Sequence, residues 1–69
     1  MTNPNIGKNG DKYWNDINRL CHRRDGPAIE RINGDKEWWV HGFCHREDGP
    51  AIERANGRKH WYINGKEIH

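Results

Sequence analysis

The sequence contains no serine, and its single threonine, Thr2, lies in a polar stretch at the start. A serine or threonine nucleophile with a partnered base is therefore not available in the rest of the chain. No apolar run approaches the roughly 20 residues that a membrane-spanning helix needs. The polar beginning (Thr2, Asn3, Pro4, Asn5) has no apolar leader core, so a soluble, cytoplasmic protein is expected. Cysteine is scarce, at 2 in 69 residues, and without a secretory leader these do not read as a disulfide framework. No segment keeps a helical period for three turns. No glycine loop leads into a helix to cradle phosphate. The formal charge of +2 is too small for a general nucleic-acid binder. These absences predict a non-catalytic protein with no cofactor.

What the chain does have is one stretch written twice. Cys21-His22-Arg23-Arg24-Asp25-Gly26-Pro27-Ala28-Ile29-Glu30-Arg31 returns as Cys44-His45-Arg46-Glu47-Asp48-Gly49-Pro50-Ala51-Ile52-Glu53-Arg54. Each copy runs into Asn-Gly and then a tryptophan. Three units align, over 9–32, 33–55 and 56–69, with Asn9, Asn33 and Asn56 in one column and Trp14, Trp38 and Trp61 in another. His22, His45 and His69 form a third column. In that alignment the second unit is one residue short near Gly42, and Ile68 fills the slot of Cys21 and Cys44. An apolar residue in that slot predicts that the cysteines serve as small buried side chains.

The units read as β-hairpins. Asn33-Gly34 and Asn56-Gly57 separate short runs of β-branched and aromatic residues. His41-Gly42 and Asn64-Gly65 mark a reverse hairpin, and Asp25-Gly26-Pro27 and Asp48-Gly49-Pro50 are turns. The fold class predicted is all-β: an antiparallel β-meander of about two and a half hairpin repeats. Residues 1–8 read as a flexible N-terminal arm and 9–69 as a single repeat domain. Beginning and ending in mid-repeat, the chain is expected to leave edge strands open and to dimerise through them.

A two-residue turn at Asn33-Gly34 would pair Arg31 with Lys36, and its counterpart would pair Arg54 with Lys59. Such like-charge pairs are unfavourable and call for a negative group nearby, either an acidic side chain of a neighbouring unit or an anionic ligand. That register puts Ile29, Arg31, Lys36, Trp38 and Val40 on one face, and Ala28, Glu30, Ile32, Glu37 and Trp39 on the other. The repeated tryptophans read as core. Trp39 and Tyr62, facing away from them, are candidates for an exposed platform that stacks bases. In the turn motif, Asp25 and Asp48 can bond the turn backbone and an arginine can pair with Glu30 or Glu53. One arginine per copy can remain spare. Arg23, Arg24 and Arg46 with His22 and His45 are candidates for an anion site, because arginine forks match phosphate. Adjacent Cys and His side chains point to opposite strand faces, which disfavours both a Cys–His metal site and a Cys–His catalytic pair.

The pattern His-Arg-x-Asp-Gly-Pro-Ala, then Asn-Gly and Trp, resembles a short β-hairpin repeat, distantly similar to the MORN repeat and common in phages, giant viruses and their hosts. The resemblance covers 9–69. In a chain this small it implies a phage accessory protein. By analogy of size and origin, the group includes viral sponges that capture nucleotide signals of bacterial antiviral systems in the host cytoplasm. The implied function is sequestration of a cyclic dinucleotide such as cyclic GMP-AMP by a homo-oligomer, a dimer. Arg23, Arg24, Arg31, Arg46 and Arg54 would hold phosphate beside His22 and His45, and Trp39 and Tyr62 would stack bases. The partner expected is a small nucleotide, with no membrane and no specific nucleic acid. The alternative is a β-repeat module that binds a host protein by strand addition.

Overall fold

Asn-Gly closes the same turn three times. In the computed structural model, which describes residues 4–68, Gly10 N–H donates to Gly7 C=O at 3.0 Å, Gly34 to Arg31 at 3.0 Å and Gly57 to Arg54 at 2.9 Å. These glycines take φ of 96°, 101° and 92°, a region where a Cβ is penalised. Each asparagine side chain accepts the N–H two residues on, from Asp11, Asp35 and Arg58. The loop is therefore a β-turn followed by a left-handed glycine, with three loop residues rather than two.

The described chain is all-β. Its strands are β1 (Asn5–Ile6), β2 (Lys12–Tyr13), β3 (Ile29–Glu30), β4 (Lys36–Glu37), β5 (Trp39–Val40), β6 (Phe43–Cys44), β7 (Ile52–Glu53), β8 (Lys59–Ile63) and β9 (Lys66–Ile68). All pairs are antiparallel. One sheet runs β1-β2-β3-β4-β7-β8-β9, and β5 and β6 form a separate hairpin. No helix among the described residues is long and apolar enough to cross a membrane. β1 lies inside the stretch read as an arm, where Asn5 pairs with Tyr13 and Ile6 with Lys12. Residues 1–3 of that arm, and His69, lie outside the described residues.

The three-residue loop shifts the register by one from the two-residue expectation. Lys36 stands opposite Glu30, not Arg31, and Lys59 stands opposite Glu53, not Arg54. The expected like-charge pairs do not form. Instead Lys12, Glu30, Lys36, Glu53 and Lys59 alternate in sign across the sheet, which is favourable at every step. The slip also re-sorts the faces. Ile29 and Ile52 now share a face with Glu37, while Glu30 and Glu53 point the other way. Trp39 therefore joins the isoleucine face and Trp38 the opposite one.

The reverse hairpins correct the alignment as well. His41-Gly42 and Asn64-Gly65 are both two-residue turns with positive φ at each position, 48° and 85° in one and 50° and 83° in the other. With Trp39 opposite Cys44 and Tyr62 opposite Glu67, Glu67 occupies the Cys44 position and Ile68 the His45 position. The extra residue belongs to the first unit, in the turn over 16–20 that the Asn15–Cys21 bridge closes. Cys44 is nonetheless buried, in a cluster with Ala51 and Ile52 that Trp39 and Tyr62 cover. Ala28 and Ala51 are fully buried, and their carbonyls accept the N–H groups of Trp14 and Trp38 at 2.8 and 2.7 Å.

Acid should loosen this fold through two equivalent carboxylates. Asp11 Oδ1 accepts the Ile32 N–H at 2.9 Å and Asp35 Oδ1 accepts the Ala55 N–H at 2.7 Å. Those backbone bonds, foremost, hold both carboxyls below the ordinary carboxylate value. A group depressed on folding stabilises above its unfolded pKa, and that contribution is lost as pH falls through the lowered value. The unfolding midpoint is expected to fall below about pH 4, and to fall less in Asp11→Asn and Asp35→Asn. Melts across that range check this; parallel curves for parent and variants would refute it.

Candidate functional site

The turn motif is a side-chain clamp built identically twice. Arg23 Nε donates to Asp25 Oδ1 at 3.0 Å, and its Nη1 donates to the Pro27 carbonyl and to Glu30 Oε2, both at 3.2 Å. Arg46 does the same with Asp48 at 3.0 Å, Pro50 at 3.0 Å and Glu53 at 3.2 Å. Each guanidinium lies over a tryptophan ring, Arg23 over Trp14 at 3.8 Å and Arg46 over Trp38 at 3.9 Å, a cation–π contact. The motif glycine makes room: a Cβ on Gly26 would come within 3.1 Å of Arg23 Cζ, and one on Gly49 within 3.0 Å of Arg46 Cζ.

The motif histidines tie one unit to the next. His22 Nδ1 accepts the His41 N–H and His45 Nδ1 accepts the Asn64 N–H, each at 3.0 Å. An Nδ1 that accepts an amide proton carries none, so each neutral ring holds its proton on Nε2. His45 Nε2 faces Glu47 Oε2 at 3.3 Å. The backbone repeats the junction: Gly42 and Gly65 N–H donate to Cys21 and Cys44 C=O at 2.8 and 2.9 Å, and Arg23 and Arg46 N–H to Trp39 and Tyr62 C=O at 3.0 and 3.1 Å.

On the other face, Arg31 Nη1 meets Asp11 Oδ2 at 3.3 Å and Arg54 Nη1 meets Asp35 Oδ2 at 3.4 Å. Both also reach the buried Glu37 Oε2, at 3.6 and 3.5 Å. The negative group that Arg31 and Arg54 require is thus supplied by neighbouring acidic side chains. Trp39, expected as an exposed platform, packs on the Cys44 cluster and donates its indole N–H to Glu37 Oε1 at 3.0 Å. Tyr62 packs on the same cluster. Both are half-buried rather than fully exposed, and the one-residue register slip places them on the isoleucine face.

The expected site residues therefore divide between two faces. Arg23, Arg24, His45 and Arg46 come together on a cleft of about 590 Å³ between the two motif turns, with Trp38 on its wall. Trp39 and Tyr62 line a separate apolar pocket of about 320 Å³ with Phe43. His22 lies beside a third hollow, near Asp16 and Arg24. Trp38 is the cleft residue that sequence reasoning assigned to the core. Its column gave no signal, because its counterpart Trp14 is buried while Trp38 is only half-buried.

Charge in the cleft is mostly spent. Arg23 faces Asp25, Arg46 faces Asp48 and His45 faces Glu47. Arg24 is exposed and has no ion-pair partner among the described residues. Its counterpart in the second copy is Glu47. Of the two arginines in the first copy, Arg23 is the structural one and Arg24 the spare one. Neither thiol is activated: burial pushes Cys44 up to about 11 and raises Cys21, opposite to what a nucleophile needs. No family model, characterised protein or solved structure matches this chain.

Proposed function

We propose that the protein is a non-catalytic binding protein that sequesters a small anionic nucleotide of the cyclic dinucleotide class, taken in the cleft between the two motif turns. The observation that carries this reading is Arg24, a guanidinium that lines the cleft and has no ion-pair partner among the described residues. A cation for phosphate is the first contact such a ligand requires. The cleft volume lies within the range of small-molecule sites. Sequestration is the role that the repeat's resemblance implies, and it needs no catalytic group. A homodimer would present two such clefts to the two halves of a cyclic dinucleotide. Cytoplasmic action in a host cell follows from the same reading.

The test is a thermal-shift panel of cyclic di- and trinucleotides on the parent and on Arg24→Glu, which installs the second copy's residue. Ligand at 100 times its dissociation constant stabilises by about 2.7 kcal/mol, roughly 10–20 °C in so small a domain. The variant is expected to keep its own melting midpoint and lose that shift. A panel without any shift, or a shift untouched by Arg24→Glu, would overturn the proposal.

A second reading has its own observation. β9 is one of the two edge strands of the sheet, and Trp61 and Ile68, paired across β8 and β9, are 46% and 48% exposed. An apolar cross-strand pair at a sheet edge suits strand addition by a host protein. Recovery of one host protein by the parent, lost in Trp61→Lys, would favour this reading over the first.

A further inference from the structure

The junction between the first and second units differs from the junction between the second and third at the positions where side chains converge. At the second junction the three positions hold Val40, His45 and Asn64. At the first they hold Asp16, His22 and His41. The backbone is the same in both: the amide at His41 or Asn64 donates to the preceding histidine's Nδ1 at 3.0 Å, and the turn residue has φ of 48° or 50°. The inter-unit bond therefore forms without the second imidazole, while the Asp16 carboxylate also caps the longer turn over 16–20 that the second unit lacks. Asparagine is also the better residue for that left-handed turn position. Positions that break a local rule the rest of the chain obeys are expected at functional sites.

The three side chains are arranged as ligands. Asp16 Oδ1 is fixed by the N–H groups of Asn18 and Leu20 at 2.8 and 3.0 Å. Its Oδ2 is left to face His41 Nδ1 at 2.7 Å. The His22 and His41 rings stack, with centroids 4.1 Å apart and planes 27° apart. One donor atom from each of the three residues lies within 4.8 Å of the others. The amide bond to His22 Nδ1 keeps that nitrogen unprotonated, so a lone pair is presented and a cation could exchange for a hydrogen bond that water can replace. The His41 side chain is more than half exposed.

We propose that Asp16, His22 and His41 form a binding site for a divalent transition cation, zinc being the best fit. Two imidazole nitrogens and one carboxylate oxygen are a borderline donor set that suits zinc, and three protein ligands leave one position for water. Bond lengths of about 2.0–2.2 Å require donor separations of roughly 3.3 Å, so the widest pair closes by up to about 1.5 Å and the His41–Asp16 pair, at 2.7 Å, opens slightly. The bound cation would staple the turn of the first unit to the turn of the second, in a domain small enough to gain from a staple. Neither cysteine takes part.

The test titrates the chelator-treated full chain with zinc, and with cobalt for its visible bands. One equivalent is expected to bind with micromolar affinity, raise the melting midpoint and shift the ring-nitrogen resonances of His22 and His41, leaving His45 and His60 unmoved. His41→Asn installs the residue of the second junction, and Asp16→Asn keeps an acceptor for the turn amides, so both should fold, and each should weaken binding at least tenfold. Cys21→Ala should bind as the parent does. The site is overturned by silence up to millimolar zinc, by binding that Cys21→Ala rather than His41→Asn abolishes, or by shifts at His45 or His60 instead. The ring resonances are read on the unsubstituted protein, so the result stands even if a variant does not fold.

Discussion

Arg46→Ala is expected to lower the unfolding midpoint by about 10 °C or more, a severe loss for a side chain that sequence reasoning offered to a ligand. The guanidinium covers the Trp38 ring at 3.9 Å and joins Asp48, the Pro50 carbonyl and Glu53. The aspartate is 87% exposed, so that pair contributes little. The contributions that count are the cation–π contact and the packed guanidinium plane, about 1 kcal/mol, and the bond to the turn carbonyl, about 1 kcal/mol more. Their sum, about 2 kcal/mol, corresponds to roughly 8–16 °C in a domain of this length. Arg46→Lys should recover little, because an ammonium cannot lie flat on the ring while forking to a carbonyl and a carboxylate. Gly49→Ala should lose part of the same stability by pushing the guanidinium out. Arg24→Ala is the control and should melt with the parent. If Arg46→Ala melts with the parent too, the clamp does not hold the turn, and Arg46 becomes available to a ligand.

That clamp shows what the sequence could and could not disclose. The repeat, the antiparallel hairpins and the turn at Asp-Gly-Pro were all legible, because each is a local pattern of turn residues and alternation. The register was not. The same Asn-Gly dipeptide serves a two-residue and a three-residue loop, and here the asparagine side chain accepts the amide of Asp35, just before the next strand, and selects the longer one. One residue of slip moved Trp39 to the core face and Trp38 to the cleft. The partners of the arginines were also hidden, since Arg31 finds Asp11 20 residues away and His45 caps an amide 19 residues away. A repeated motif invites the reading that its charges await a ligand. Here the repetition has a different cause: each unit must be fastened to the next, and the same fastening is used at each junction.

The strongest such fastening is Glu37, and Glu37→Ala is expected to cost about 2–3 kcal/mol. The residue is 7% exposed. One carboxylate oxygen lies between Arg31 of the first unit and Arg54 of the second, while the other accepts the Trp39 indole N–H. Removing one partner from a buried charge cluster leaves the rest uncompensated, which costs about 3–5 kcal/mol when the cluster is fully buried. The two arginines are 35% and 39% exposed, and water can rehydrate them, so the lower figure applies. Glu37→Gln keeps the volume and an acceptor for Trp39 and should cost less than alanine. Glu37→Leu fills the space without charge, and its distance from alanine measures how much of the loss is the cavity. Urea unfolding resolves the series through its midpoints at constant slope. Equal midpoints for parent, glutamine and alanine would mean that the units are held by their backbone ladders alone. A loss in the expected order would mean that the cation-rich face, which resembles an anion site in the sequence, is already occupied by the protein's own acid.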